Sequence, residues 1–308
     1  MLSIVIVSWN VEELLAACLR SINVNKGDLE VEVIVVDSAS QDGTVAMVRE
    51  QFPHVTMLAQ ADNVGFPLGN NIGLAQASGD YLLLLNPDTE IVGDALQTMV
   101  SYLSAHPHVG MIGPELLNTD RSHQSSRRRF PTLLTGIFES TWLQTCAPRH
   151  ILRDYYMEDT RDEEIVSADW VNGACMLTTR DVYERVGGMD PGYFMYSEEL
   201  DWCRRIKDAG YDITYLPTAK VLHHQGKSSE QAVTHRHINF NRAKLRYFRK
   251  FHGRAAYVTL RIVLLLNYLL QIGIEGAKFL FGHRRDLRRQ RISSYLKVLQ
   301  SRLTAAGY

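Results

Sequence analysis

Cysteine is scarce and scattered in this chain of 308 residues. Cys18, Cys146, Cys175 and Cys203 form no CxxC pair, which argues against a zinc knuckle or a disulfide framework and suits a reducing compartment. The first apolar run is followed by SWNVEE and lacks a GxGxxG turn, which excludes the dinucleotide fingerprint of a dehydrogenase. MLSIVIVSWN has neither a basic leading segment nor a small-residue cleavage site, so it reads as a buried strand and no export signal is expected. Acids are nearly missing from residues 240–308, which hold 15 Lys/Arg against Glu275 and Asp286. The apolar run inside that tail, Ile262–Ile274, has 13 uncharged residues, short of the roughly 17–25 of a spanning helix.

What is present is ordinary globular material, 45% hydrophobic and 22% charged, enough for a core and too apolar for global disorder. The formal charge of −1 conceals an uneven distribution, because the tail carries +13 and the residues before it −14. So basic a tail suits phosphate-rich partners, either nucleic acid or anionic lipid. Arg254 and Arg261 on one side of the apolar run, and Lys278, Arg284, Arg285, Arg288, Arg289 and Arg291 on the other, favour a helix lying in a membrane interface or entering one leaflet. A core or dimer helix with a solvated basic face is the alternative; nucleic-acid binding is disfavoured because the apolar run better suits lipid.

Strand-length apolar runs alternate with helical segments over the first 113 residues. Strands are expected at Leu2–Ser8, Val31–Asp37, Val55–Ala59, Tyr81–Asn86 and Val109–Gly113. Helices are expected after Asn10, which with Glu13 forms a capping box, and at Gly43–Gln51, Gly65–Gln76 and Gly93–Ala105. This pattern predicts an α/β fold with a mostly parallel central sheet covered on both faces. In such sheets ligands bind at the carboxyl ends of the strands, where Ser8–Asn10, Asp37–Gly43, Asp62–Gly65 and Asn86–Asp88 collect. Loops and short elements are expected from Pro114 to about Val166; regular structure then resumes at Trp170–Thr178, with a helix from Arg180, a helix from about Ser197 to Ala209, a strand-like Ile213–Leu216 and a segment Lys220–His224.

Several constellations carry chemistry. DSASQDGT, Asp37 to Thr44, places carboxylates in a turn where they can accept from a base N–H or a ribose hydroxyl, or simply cap the next helix. In DNVGFPLGNNIG, Asp62 to Gly73, small residues allow close approach to a phosphate or sugar. A strongly apolar strand delivers Asn86, Pro87 and Asp88 at its end, and a carboxylate there suits a hard cation that bridges substrate phosphates. Glu198, Glu199 and Asp201 crowd a helix start beside Phe194, Met195, Tyr196 and Trp202; three acids there partly serve the helix dipole, but like charges in apolar surroundings also raise a carboxylate's proton affinity, as a general base requires. A neutral imidazole at His223 or His224 could complete a metal site. Arg127–Arg129 is open between holding a diphosphate and forming a solvated loop.

Taken in order, SWN, DSASQDG, DNVGFPLGNNIG, NPD, VNGACM, GGMDPGYFMYSEELDWCRR and HHQGKSS resemble the family-2 glycosyltransferases, and within them the bacterial rhamnosyltransferase-like branch. The resemblance covers residues 2 to about 230. It implies the GT-A fold, a Rossmann-like nucleotide-diphospho-sugar transferase architecture, with a catalytic domain at 1–235 (1–113 binding the nucleotide sugar, 114–235 supplying the metal and acceptor side) and a basic helical tail at 236–308. It further implies that Ser8, Asn10 and Asp37 hold the nucleoside, with Ser40 and Asp42 nearby. Asn63, Gly65 and Asn70 would line the donor pocket, with Asn86 and Asp88 at the diphosphate. Asp88 takes the place of the last acid of the DxD motif and Asn86 replaces the first, so Asp88 and His223 would bind Mg2+ or Mn2+. Glu199 is the implied base, with Glu198 as the fallback; Gly173, Ala174 and Asp201 would face the acceptor.

The expected reaction is an inverting transfer of rhamnose or another hexose from a dTDP- or UDP-linked donor to a hydroxyl of a glycan or polyprenyl-linked acceptor, in cell-surface polysaccharide synthesis. The expected location is cytoplasmic and peripheral, at the inner face of the cell membrane; a homodimer is also compatible. The competing expectation is a non-catalytic nucleotide-sugar or lipid-phosphate binding protein of the same fold.

Overall fold

Leu2–Ser8 (β1) shows no polar alternation because both its faces are covered: all seven residues are buried. Leu2, Ile4 and Ile6 enter one hydrophobic cluster and Val5 and Val7 the other, so a single strand divides the core into two layers. The computed structural model describes residues 1–224, 233–282 and 284–304. They fall into two units, the first comprising Met1–Phe130, Tyr156–Phe194 and Glu198–Ser228, the second Pro131–Tyr155, Met195–Ser197 and Ser229–Tyr308.

In the first unit, helices α1 (Glu12–Asn25), α2 (Thr44–Gln51) and α3 (Phe66–Gln76) alternate with β2 (Val31–Asp37), β3 (Thr56–Ala59) and β4 (Tyr81–Leu85). β3, β2, β1 and β4 lie side by side and parallel. Then come β5 (Thr89–Val92), α4 (Ala95–Ala105), β6 (Val109–Leu117) and the short β7 (His123–Gln124) and β8 (Arg127–Arg128). β9 (Val166–Ala168), β10 (Trp170–Val171), β11 (Cys175–Thr179) and β12 (Asp212–His223) complete the strands, with α7 (Arg180–Val186) and α8 (Glu198–Asp208) between the last two. Beyond β4 the order is β11-β6-β12-β5, with β11 antiparallel to both neighbours, β12 parallel to β6 and β5 antiparallel to β12. The expected α/β sheet is present, parallel in its first half and mixed in its second.

One local expectation is corrected. Asn10 does not cap α1: it has a left-handed φ of 52°, and its side chain accepts from the Gln41 amide at 2.7 Å, reaching across to the neighbouring loop. Asp42 takes over, accepting from Thr44 N of α2 at 3.0 Å and from Glu12 N of α1 at 3.2 Å. Thr89–Val92, where no element is expected from the sequence, is a strand because β12 offers it an edge to pair with.

The second unit contains α5 (Leu133–Phe138), a short 3-10 turn at Trp142–Cys146 and α6 (Arg149–Tyr155), which fold with the tail helices α9 (Val233–Leu280) and α10 (Arg285–Gln300). Gly136 lies against Phe248, Lys244 donates to Glu139 at 2.8 Å and Trp142 N donates to Asn267 at 3.1 Å. α9 turns at Gly253, whose φ of 84° only glycine adopts readily. Glu275, the acid nearest the apolar run, is neutralised by buried Arg288 at 2.7 Å. Among the described residues, one helix, His235–Leu280, is long and apolar enough to cross a membrane, so the helix is longer than the apolar run inside it indicated.

Candidate active site

The carboxyl ends of β1 and β2 form one interlocked cluster. Ser8 Oγ donates to Asp37 Oδ2 at 3.1 Å, Ser40 N to Asp37 Oδ1 at 2.9 Å, and Asn10 N to Ser40 Oγ at 2.8 Å. Five expected nucleoside residues, Ser8, Asn10, Asp37, Ser40 and Asp42, are thereby held in two adjoining loops. Asp37 is only 1% exposed and its oxygens are engaged by Ser8 and Ser40, so it shapes the loop, while Ser40 and exposed Asp42 present the polar rim. Ser38, which the sequence reading passed over, is buried beside it with an unpartnered hydroxyl.

At the start of α3, Asn63 accepts from Gly65 N at 3.0 Å, and Phe66 N donates to Phe194 O at 2.9 Å. Gly65 has φ +75° and any Cβ there would strike Phe194, which explains glycine at that position. The remaining glycines serve packing and not ligand approach: Gly69 and Gly73 rest on Val7 and Val5, letting α3 press onto β1. Asn70 is 1% exposed and donates back to Phe66 O at 2.9 Å; it belongs to the helix interior, a correction to its expected place in the donor pocket.

β5 pairs with the end of β12, His223 opposite Thr89, and this register unites residues from two distant parts of the chain. His223 Nε2 stands 3.4 Å from Asp88 Oδ1, and both residues are buried. Strand alternation sends His224 to the other face, where its Nε2 lies 2.7 Å from Glu90 Oε1, so only the first imidazole of the pair faces Asp88. His223 Nδ1 lies 2.7 Å from Oε1 of buried Gln124, a residue that nothing in the sequence pattern singles out. Gln225 to Ser229 of the last signature lie outside the described residues.

Asn86 N donates to Ala174 O at 2.8 Å, and Ala174 N donates to Asn172 Oδ1 at 2.9 Å, which locks the 172–174 turn against the end of β4. Next to this turn, Gly173 faces Glu199 at the start of α8 (Glu198–Asp208), where a Cβ would make ordinary contact at 3.5 Å. Ala174 is buried in the core and cannot meet an acceptor through its side chain, leaving Gly173 as the accessible part of the pair. Asp201 is likewise corrected: fully buried, it receives Arg205 at 2.8 Å and the Tyr193 hydroxyl at 3.2 Å, so it braces the loop before α8. Arg127 is also internal, stacked on Tyr215 and paired with Asp162 at 2.9 Å; Arg129 pairs with Asp159 at 2.8 Å. That stretch anchors the 156–162 segment.

Burial pushes the Glu199 carboxyl up to about 7, an effect only partly offset by the backbone N–H groups of Glu199 and Leu200. Glu198 is raised well above the ordinary carboxylate range, by its own burial and then by the neighbouring Glu199 charge. A buried polar atom without a partner costs about 1–3 kcal/mol. In the described part of the first unit, the side chains with such atoms are Ser38, Asn86, Glu198 and Glu199. All four stand in the strand-end and α8 loops just described, which is the pattern expected of groups that await a ligand.

No group of three or more His, Cys, Asp or Glu able to hold a metal occurs among the described residues. The donor set of Asp88 and His223, with the Asn86 amide oxygen unpartnered two residues from Asp88, nevertheless fits a divalent ion that takes few protein ligands and fills its shell with water and phosphate oxygens.

The description "Glycosyltransferase like family 2" matches residues 1–237. The chain is 29% identical over 210 residues to the N-acetylglucosaminyl-diphospho-decaprenol L-rhamnosyltransferase of Mycobacterium tuberculosis, covering 65% of this chain and 68% of that one. It is 29% identical over 234 residues to rhamnosyltransferase WbbL of Escherichia coli K12, covering 73% and 83%. Among solved structures it resembles the mannosyltransferase PcManGT of Pyrobaculum calidifontis in complex with GDP-Man and Mn2+, with a TM-score of 0.57, 17% identity and coverage of 99% and 88%. With a GT-A sheet, an acid-rich α8 and a family match that runs through β12, this chain belongs to the family-2 glycosyltransferases.

Proposed function

We propose that the chain transfers rhamnose, or another hexose, from a dTDP- or UDP-linked donor to a hydroxyl of a glycan or polyprenyl-diphosphate-linked acceptor, with inversion at the anomeric carbon. The observation that carries this reading is the 3.4 Å approach of Asp88 and His223, two buried residues from distant parts of the chain that sheet pairing unites. The printed names of the two bacterial relatives support the sugar and the lipid-linked class of acceptor.

Asp88 and His223 would hold Mg2+ or Mn2+, which when bound stabilises the charge on the departing nucleoside diphosphate. Ser8, Asn10, Asp37 and Ser40 shape the nucleoside loop, and Ser38 offers it an unpartnered hydroxyl. Glu199 takes the proton of the acceptor hydroxyl as that oxygen attacks the anomeric carbon from the face opposite the leaving group. A carboxyl raised to about 7 is matched to that task, since near neutrality it is substantially ionised yet basic enough to accept a proton.

The tail supports a location at the membrane surface. Val258, Ile262, Leu266 and Leu269 are 42–56% exposed and recur at helical spacing on α9, opposite buried Ala256, Leu260 and Leu264. With Arg284, Arg285 and Arg289 exposed at the following turn, this stripe suits an anionic lipid surface at the cytoplasmic face.

The test of the chemistry uses the purified chain with Mn2+, dTDP-linked rhamnose and an N-acetylglucosaminyl diphospho-lipid. Asp88→Ala is expected to weaken donor binding, read by calorimetry. Glu199→Gln should bind the donor normally and lose roughly 100-fold or more in nucleotide diphosphate release. Full turnover by the Gln variant, or retention of anomeric configuration by NMR, rejects the mechanism.

A further inference from the structure

The turn between β6 and β7 carries a chain of side-chain hydrogen bonds that ends on the metal-facing imidazole. Asp120 is an exposed carboxylate and can only accept; it receives the Ser122 hydroxyl at 2.5 Å and the Ser122 amide at 2.9 Å. With its proton committed there, Ser122 Oγ must accept from Asn118 Nδ2, which lies 2.9 Å away. The Asn118 amide is thereby oriented with Oδ1 inward, where it accepts from Gln124 Nε2 at 2.9 Å. That fixes Gln124 in turn: its Oε1 is the atom facing His223 Nδ1 at 2.7 Å, and an amide oxygen can only accept. The proton of a neutral His223 must therefore reside on Nδ1.

We infer that Gln124 is a positioning residue, anchored through Asn118, Ser122 and Asp120, that holds His223 as the Nδ1–H tautomer and presents its Nε2 lone pair toward Asp88. Two acceptors, an imidazole lone pair and a carboxylate oxygen, then face one another at 3.4 Å in a buried space, an arrangement that a cation between them makes favourable. Gln124 is 6% exposed, and its β7 strand is pinned to β6 through Leu116, so the amide cannot turn away without breaking both its bonds. The inference rests on the reading of Asp88 and His223 as holders of the divalent ion, and it adds the residue that prepares the imidazole for that role.

The test reads the tautomer directly. In the metal-free full chain, at a pH high enough that the ring is neutral, 15N NMR of imidazole, with His223 assigned by comparison with His223→Asn, is expected to show a protonated Nδ1 and an unprotonated Nε2. A dominant Nε2–H tautomer overturns the proposal. Mn2+ affinity, measured by electron paramagnetic resonance in the presence of UDP, is expected to fall roughly 10- to 100-fold in Gln124→Leu. If His223→Asn binds Mn2+ as tightly as the parent, the metal reading itself fails. If His223→Asn is weakened while Gln124→Leu is not, the positioning role alone fails. Should the Leu variant not fold, the NMR result on the parent protein decides.

Discussion

Glu198 and Glu199 illustrate how two identical side chains on consecutive positions acquire different work. Glu198 is buried at 4% exposure, whereas Glu199 is half-buried beside Gly173. Turnover is expected to rise with pH through the region near 7, as Glu199 ionises, and then to level off; a kcat profile flat from pH 5.5 to 8.5 rejects Glu199 as the base. Stability should move the opposite way. Both carboxyls are raised from an ordinary 4.5, so the folded state binds protons more tightly than the unfolded one. The pair's favourable contribution is full below the unfolded value and is lost as pH climbs through the raised folded values. Melting temperatures across that range should decline in the parent, and Glu198→Gln should flatten the decline.

At the scale of elements, the placing of α3 depends on residues without side chains. A Cβ on Gly73 would lie 2.3 Å from Cγ1 of fully buried Val5, and one on Gly69 would lie 2.8 Å from Val7. Alanine gains up to about 1 kcal/mol of helix propensity over glycine, but overpacking a close-fitted core costs about 1–3 kcal/mol. Gly73→Ala is therefore expected to be destabilising by roughly 1–2 kcal/mol in urea unfolding; a stabilised variant would show that α3 can move off the sheet freely. The hydrophobic pattern gave α3 its existence and approximate bounds, yet the glycines looked like ligand contacts because period alone does not say which face meets a strand. Arg127 misleads in the same way: a run of three arginines reads as surface, whereas the first of them stacks on Tyr215 and is 2% exposed.

For the whole molecule, charge and exposed apolar surface separate along the chain. Because Ile262, Leu266 and Leu269 are already exposed, replacing them with glutamate should spare the fold while removing the contact with lipid. Each buried leucine contributes roughly 2 kcal/mol, so even the double variant Leu266→Glu/Leu269→Glu should lose well over tenfold in sedimentation with phosphatidylserine vesicles. Unchanged sedimentation rejects the membrane assignment; a dimer of the parent that the double variant abolishes would give the stripe to a second copy of the chain instead.

The amino-acid order alone determined the alternation of strands and helices, the strand-end position of Asp88, the acid-rich start of α8 and the basic tail, because local periodicity and turn chemistry act over a few residues. The family resemblance implied His223, but only tertiary structure set it and not His224 against Asp88, since that follows from the pairing of β5 with β12 and from the two-residue alternation of a strand. It also decided that Asn70, Ala174 and Asp201 are framework, and that Gln124 reaches the imidazole. These outcomes depend on contacts between residues far apart in the chain, whose burial and hydrogen-bond partners exist only once the sheet has closed.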